Sequence, residues 1–105
     1  MKVYVAGPMT GYPDYNYPAF VDAAAHLRGL GYDVVSPHEI NPPTEGFEHP
    51  WDWYMRRDIV ELLTAEAIVV LPGWEASKGA SLETYIARAL GMAIYAIDEM
   101  AEAVA

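Results

Sequence analysis

At 105 residues, 53% of them apolar and 20% charged, the chain suits one domain with a core of its own and is too apolar for a disordered segment. It has no cysteine, which excludes disulfide and thiolate–metal frameworks, and 15 acidic against 6 basic side chains give a formal charge of −9. Such a surface repels a nucleic-acid backbone, and Arg56-Arg57 is the one adjacent basic pair; a polymer partner is excluded, whereas a single nucleotide needs only a local pocket of N–H groups.

The opening residues, Met1-Lys2-Val3-Tyr4-Val5-Ala6-Gly7-Pro8, hold too short an apolar run for a signal peptide, and nothing approaches a membrane span. The expectation is a cytoplasmic protein with a single domain over 1–105. Residues 2–6 read as a first strand, near-continuously apolar as in a parallel sheet covered on both faces. A tyrosine-rich loop follows, and Pro18 suits the first turn of a helix. From Ala19 to Leu30 the apolar positions Phe20, Ala23, Ala24, Leu27 and Leu30 fall at helical spacing, and Gly31 ends the run.

Residues 32–36 read as a second strand, completing a right-handed βαβ unit. Pro37 to Pro50 contains four prolines and Gly46 and reads as a long surface loop of the kind that often serves as a lid. Trp51 to Thr64 is predicted helical, with Trp51, Tyr54, Met55, Ile59, Leu62 and Leu63 as its apolar face. A third strand (67–71), a third helix (78–91) and a fourth strand (93–97) follow, and the tail from Asp98 to Ala105 is predicted to form a helical turn or two. Strands alternating with helices make a three-layer, doubly wound, Rossmann-like or flavodoxin-like α/β domain with a four- or five-stranded parallel sheet. Its ligand crevice should lie beyond the ends of strands one and three, where the strand order reverses.

The turn between the third strand and the third helix, Leu71-Pro72-Gly73-Trp74-Glu75-Ala76-Ser77-Lys78-Gly79-Ala80-Ser81-Leu82-Glu83, organises this reading. A strand ending in a Gly/Ser-rich turn that opens a helix presents unpaired N–H groups and a partial positive charge to an anion. Glu83 lies just beyond. The lack of Gly-x-x-x-x-Gly-Lys-Ser/Thr and of Gly-x-Gly-x-x-Gly excludes P-loop and dinucleotide sites. His38 and His49 lack ligand spacing, so no metal site is expected, and His26 reads as a surface residue.

The start Val3-Tyr4-Val5-Ala6-Gly7-Pro8-Met9-Thr10-Gly11, then Arg57-Asp58 before a strand, then Ser77-x-Gly79-x-Ser81-x-Glu83 opening a helix, resemble the nucleoside 2-deoxyribosyltransferase superfamily. That group includes the 2'-deoxynucleoside 5'-monophosphate N-glycosidases, and the likeness is greatest to small, often phage-encoded members. The resemblance implies that Glu83 is a nucleophile attacking the anomeric carbon, that Asp58 assists departure of the base, and that Tyr4 orients Glu83. It implies phosphate contacts for Ser77 and Gly79. Gly7, Pro8, Met9, Thr10, Gly11, Asn16, Trp74 and Ser81 complete the candidate substrate-binding set, with no cofactor. Pro8 and Thr10 stand where the nucleotide hydrolases carry a serine and an arginine, and Ser81 where glycine is frequent.

The chemistry is consistent with these roles. Glycosyl cleavage needs one ionised carboxylate and one acid. Glu83 near a helix N-terminus is expected to be ionised, and burial or a neighbouring carboxylate would raise Asp58. Structural alternatives stand beside each: a dipole-complementing Glu83, a surface pair of Asp58 with Arg57 or Lys78, a core Tyr4, and Ser77 as an N-cap. Tyr12, Tyr15 and Tyr17 suit a base or sugar wall, or a contact with a second copy. The expected partner is a small nucleoside or nucleotide, in a homo-oligomer. The competing functions are a silent nucleotide-binding module and a structural protein that keeps only the fold.

Overall fold

The apolar runs do pair as parallel strands. In the computed structural model, which describes residues 1–46 and 48–101, they are β1 (Lys2–Ala6), β2 (Asp33–Val35), β3 (Ala67–Val70) and β4 (Ala93–Ala96). The order is β2-β1-β3-β4, and every neighbouring pair is parallel. The register sets Tyr4 beside Ile68 and Ala6 beside Val70. The switch point therefore falls between β1 and β3, the position read from the sequence.

The helices are α1 (Tyr17–Gly29), α2 (Pro37–Ile40), α3 (Trp51–Leu62) and α4 (Lys78–Ala89). Because side chains alternate along a strand, each strand serves both faces. Val3, Val5, Ala67, Val69 and Leu71 pack on Phe20, Ala23, Ala24 and Leu27 of α1. Tyr4, Ala6, Ile68 and Val70 pack on Leu62 of α3 and on Ala80 and Ala87 of α4. This is the three-layer, doubly wound α/β arrangement, here with four strands.

Most boundaries fall within one or two residues of the expectation, with α1 starting at Tyr17 and β2, β3, β4 and α4 each shorter than predicted. Three segments differ in more than that. The segment from Pro37 to Pro50 is not all loop: α2 forms at once, and a 3-10 turn spans Pro43–Glu45. Ser36-Pro37-His38-Glu39 has the sequence form of a helix start, a capping type, a proline at the first position and a glutamate at the third. The helix from Trp51 ends at Leu62, two residues before Thr64, with Leu63 as its cap. On that helix Trp51 and Leu63 are exposed, so the apolar face is narrower than predicted. In the tail a 3-10 turn covers Ile97–Glu99, and residues 102–105 lie outside the described residues. Among the described residues no helix is long and apolar enough to cross a membrane.

Candidate functional site

Two helices place a carboxylate where a core residue would normally stand. On α3 the buried residues are Met55, Asp58 and Leu62, one stripe at spacings of three and four. On α4 they are Ala80, Glu83, Thr84 and Ala87, again one stripe. Both carboxylates thus point to the sheet, and each is only 4% exposed. Small residues let α4 come close: a Cβ on Gly79 would lie 3.2 Å from Met55 Sδ.

Tyr4, fully buried on β1, donates its hydroxyl hydrogen bond to Glu83 Oε2. The same alternation that sends Val3 and Val5 to α1 sends Tyr4 to this pair. Burial is the first cause that raises the Tyr4 hydroxyl well above its usual range, with Glu83 and then Asp58 adding to it. Burial also raises Asp58 to about 7, against the opposing effects of a hydrogen bond from Asn41 and the charge of Arg57. Glu83 rises to about 8, chiefly through burial, with Tyr4 pulling it down and Asp58 pushing it up.

This corrects the expectation that the helix dipole keeps Glu83 ionised in the resting site. Glu83 sits in the second turn of α4, past the first-turn N–H groups, and desolvation outweighs what the dipole supplies. The three groups are mutually coupled, so they titrate as a unit.

Asp58 does not form a surface pair. Asn41 Nδ2 donates to its Oδ1 at 2.7 Å. Arg57 instead donates from Nε to Asn41 Oδ1 at 2.9 Å and from its terminal nitrogen to the Ile40 carbonyl at 2.9 Å, while lying over the Trp53 ring. Lys78 sits over Trp51.

The loops of the switch point pack against each other. Gly7 is required there, since a Cβ would come within 2.9 Å of Leu71 Cβ. Gly73 has φ +87, and a Cβ on it would stand 3.1 Å from the Tyr12 hydroxyl oxygen. Pro8 is buried, and its carbonyl accepts from Asn16 Nδ2 at 2.9 Å. Asp14, Tyr15 and Asn16 all hold positive φ, a run that costs non-glycine residues free energy and that clusters at functional loops.

Thr10 and Gly11 are exposed at this rim, whereas Met9 packs against the α1-side core and Trp74 against the other. Ser77 caps α4 by accepting from Ala80 N at 3.2 Å, and Ser81 Oγ donates to the Glu75 carbonyl at 3.2 Å. Gly79 faces α3. Tyr12 and Tyr15 are exposed, while Tyr17 is buried and donates to the Asn41 carbonyl at 2.7 Å. A groove of about 460 Å³ opens on the α1 side of this rim, lined by Tyr12, Asn16, Ala23, Leu71 and Ile97 among others.

The structure thus gathers Tyr4, Asp58 and Glu83 into one buried cluster beneath the rim formed by Gly7–Gly11 and Gly73–Ser77. Sequence reasoning missed Asn41, which is 3% exposed and holds Asp58. Its signal was faint: the Ser-Pro-x-Glu helix start at 36–39 implies a turn whose end falls at Asn41. Among the described residues no group of three or more His, Asp or Glu side chains could hold a metal ion.

A family profile described as a domain of unknown function (DUF4406) matches residues 1–96. No curated protein matches the sequence significantly. Among solved structures, the fold is similar to a 2-deoxyribosyltransferase from the psychrotolerant bacterium Bacillus psychrosaccharolyticus. The TM-score is 0.70 at 22% identity, covering 91% of this chain and 71% of that one. It is similar also to the 2-desoxiribosyltransferase from Leishmania mexicana, with a TM-score of 0.66 at 20% identity, covering 90% of this chain and 62% of that one. The fold is that of the nucleoside 2-deoxyribosyltransferase-like proteins.

Proposed function

We propose that this chain, which belongs to the DUF4406 family, cleaves the N-glycosidic bond of a (deoxy)nucleoside or its 5'-monophosphate through Glu83, by hydrolysis or by base transfer. The observation that carries this reading is the buried Tyr4–Glu83–Asp58 cluster at the strand switch point. Burying two carboxylates is costly, and elevated pKa values on two coupled, buried carboxylates mark a site suited to proton transfer and nucleophilic work. The deoxyribosyltransferase fold of the neighbours supports the same substrate class.

The chemistry then runs as two displacements. The Glu83 carboxylate attacks the anomeric carbon, the carbon–nitrogen bond breaks, and its electron pair leaves with the base. Asp58 supplies the proton to the departing base nitrogen. A glycosyl ester on Glu83 remains. Water or a second base attacks the same carbon, Asp58 takes the proton of the incoming group, and Glu83 is released.

The productive state has one proton on the pair, held by Asp58, with Glu83 charged. It is the less populated of the two singly protonated forms, because Glu83 at about 8 holds its proton more tightly than Asp58 at about 7. Tyr4 favours that charge by donating to it. Positive charge developing on the sugar favours it further. The singly protonated pair is most populated between the two titrations, at about 7 and about 8. Base release should therefore follow a bell-shaped profile with its optimum in that window.

Ser77, Gly79 and Ser81 at the start of α4 would take the phosphate of a nucleotide substrate, and Trp74 the base. Capping of α4 by Ser77 does not preclude this, because the cap takes up the Ala80 N–H and not those of Lys78 and Gly79. The protein acts as a homo-oligomer in this reading.

The test is a chromatographic assay for free base with deoxy- and ribonucleosides and their 5'-monophosphates. Including a second base separates transfer from hydrolysis. Release that vanishes in Glu83→Gln supports the reading. No release from any substrate overturns it, and a melting temperature still raised by the same compounds would then leave a silent binding module.

A further inference from the structure

Asp58 has two oxygens, and only one is tied to a described side chain. We propose that Asn41 is the positioning residue of Asp58: Arg57 occupies its amide oxygen, so its N–H end is committed to Asp58 Oδ1, and the proton that Asp58 carries is confined to Oδ2. This rests on the proposed glycosidic function, because confining the proton matters only if Asp58 must deliver it.

The amide orientation follows from donor chemistry. A guanidinium only donates, so the Asn41 atom 2.9 Å from Arg57 Nε must be the oxygen, and the atom 2.7 Å from Asp58 Oδ1 is then the NH₂. Turning the amide over would set its donor against Arg57 and its oxygen against a carboxylate oxygen. The residue has no freedom to move instead. Its backbone N–H donates to the Pro37 carbonyl at 2.9 Å, its carbonyl accepts from the Tyr17 hydroxyl at 2.7 Å, and Arg57 holds the preceding carbonyl of Ile40. Asn41 is 3% exposed and caps the end of α2.

An oxygen that accepts a close N–H is a poor place for a proton, since the two hydrogens would compete for one lone-pair direction. The proton of Asp58 therefore goes to the other oxygen. The remaining charged or titratable groups facing Asp58 are Glu83 from α4, Tyr4 from β1, and Arg57 and Tyr54 on its own helix. His38 of α2 is turned to Ser36 Oγ. Asn41 is thus the neutral donor of the group.

The test is the carbon-13 NMR titration of Asp58 in full-length protein labelled at aspartate, with Asp58→Asn for assignment. Asn41→Ala should raise the Asp58 midpoint by about one pH unit, the size of a lost hydrogen bond to a charged group. Asn41→Asp, which keeps the shape and the Arg57 contact but has no N–H, should raise it at least as far. The basic limb of base release should move by the same amount in Asn41→Ala, with kcat reduced about tenfold and KM little changed. An unchanged midpoint in both folded variants overturns the proposal.

Should Asn41→Ala not fold, Arg57→Lys keeps the positive charge beside Asp58 but removes the Nε donor that fixes the amide, and an unmoved midpoint there overturns it equally. The two readings fail separately. A wild-type protein without base release sinks the glycosidic function and leaves the NMR shift standing, whereas an unmoved midpoint beside normal base release sinks the role of Asn41 alone.

Discussion

The two faces of one sheet are built from the same strands and solve different problems. Beneath α1, Val3, Val5, Val69 and Leu71 meet Phe20, Ala23, Ala24 and Leu27, an apolar layer with no ionisable member. Beneath α3 and α4, Tyr4, Asp58 and Glu83 occupy positions equally deep. Alternation along β1 divides Val3 and Val5 from Tyr4, so the division was written into consecutive residues. Buried carboxylates lose the solvation of their charged form, and the α3/α4 face is thereby less stable than an apolar one would be. The α1 face is apolar throughout, whereas the other sets two carboxylates into an apolar layer of Ala6, Leu62, Ile68, Val70, Ala80 and Ala87.

Substitutions on the two faces should separate these roles. The largest effect is expected from Glu83→Gln, which should lower base release at least about 1000-fold, equivalent to about 4 kcal/mol in the barrier, by comparing kcat/KM for variant and wild type. On the opposite face Phe20→Ala should cost about 3–5 kcal/mol of stability in a urea titration. Its folded fraction should keep the wild-type pH profile, since no ionisable group is touched.

The third difference is in how stability varies with pH. Burial raises Glu83 to about 8 and Asp58 to about 7. From the ordinary carboxylate range up to those values, the folded protein binds protons that the unfolded chain has released. Stability should therefore fall as pH rises through that window. Glu83→Gln removes one of these groups, so it should melt several degrees above wild type at about pH 9 and close to it at about pH 5. Phe20→Ala should show the wild-type slope. The smallest effect concerns the turn between them: Ser77→Ala removes the cap on α4 and should cost about 1 kcal/mol by thermal melting.

Most of the fold was legible because its signals are local and repeated. Apolar runs marked the four strands, and the periodic stripe from Phe20 to Leu27 marked α1. The site was partly legible for the opposite reason. Asp58 and Glu83 interrupt helical stripes at Met55–Leu62 and Ala80–Ala87, a pattern visible once the stripes are drawn. Their protonation was not legible, since desolvation depends on how closely α3 and α4 approach the sheet, and no local pattern states that distance. Asn41 was hidden in a proline-rich segment without periodicity. Its side-chain hydrogen bonds run to residues 16 and 17 positions away.

The most direct measurement is base release by wild type and Glu83→Gln at about pH 7.5, between the two titrations, with melting curves showing that both proteins are folded. The buried pair on the α3/α4 face predicts release from a nucleoside or its 5'-monophosphate by wild type and loss of at least about 1000-fold in the variant. Equal release by both proteins, or none by wild type from any substrate of the panel, would contradict it.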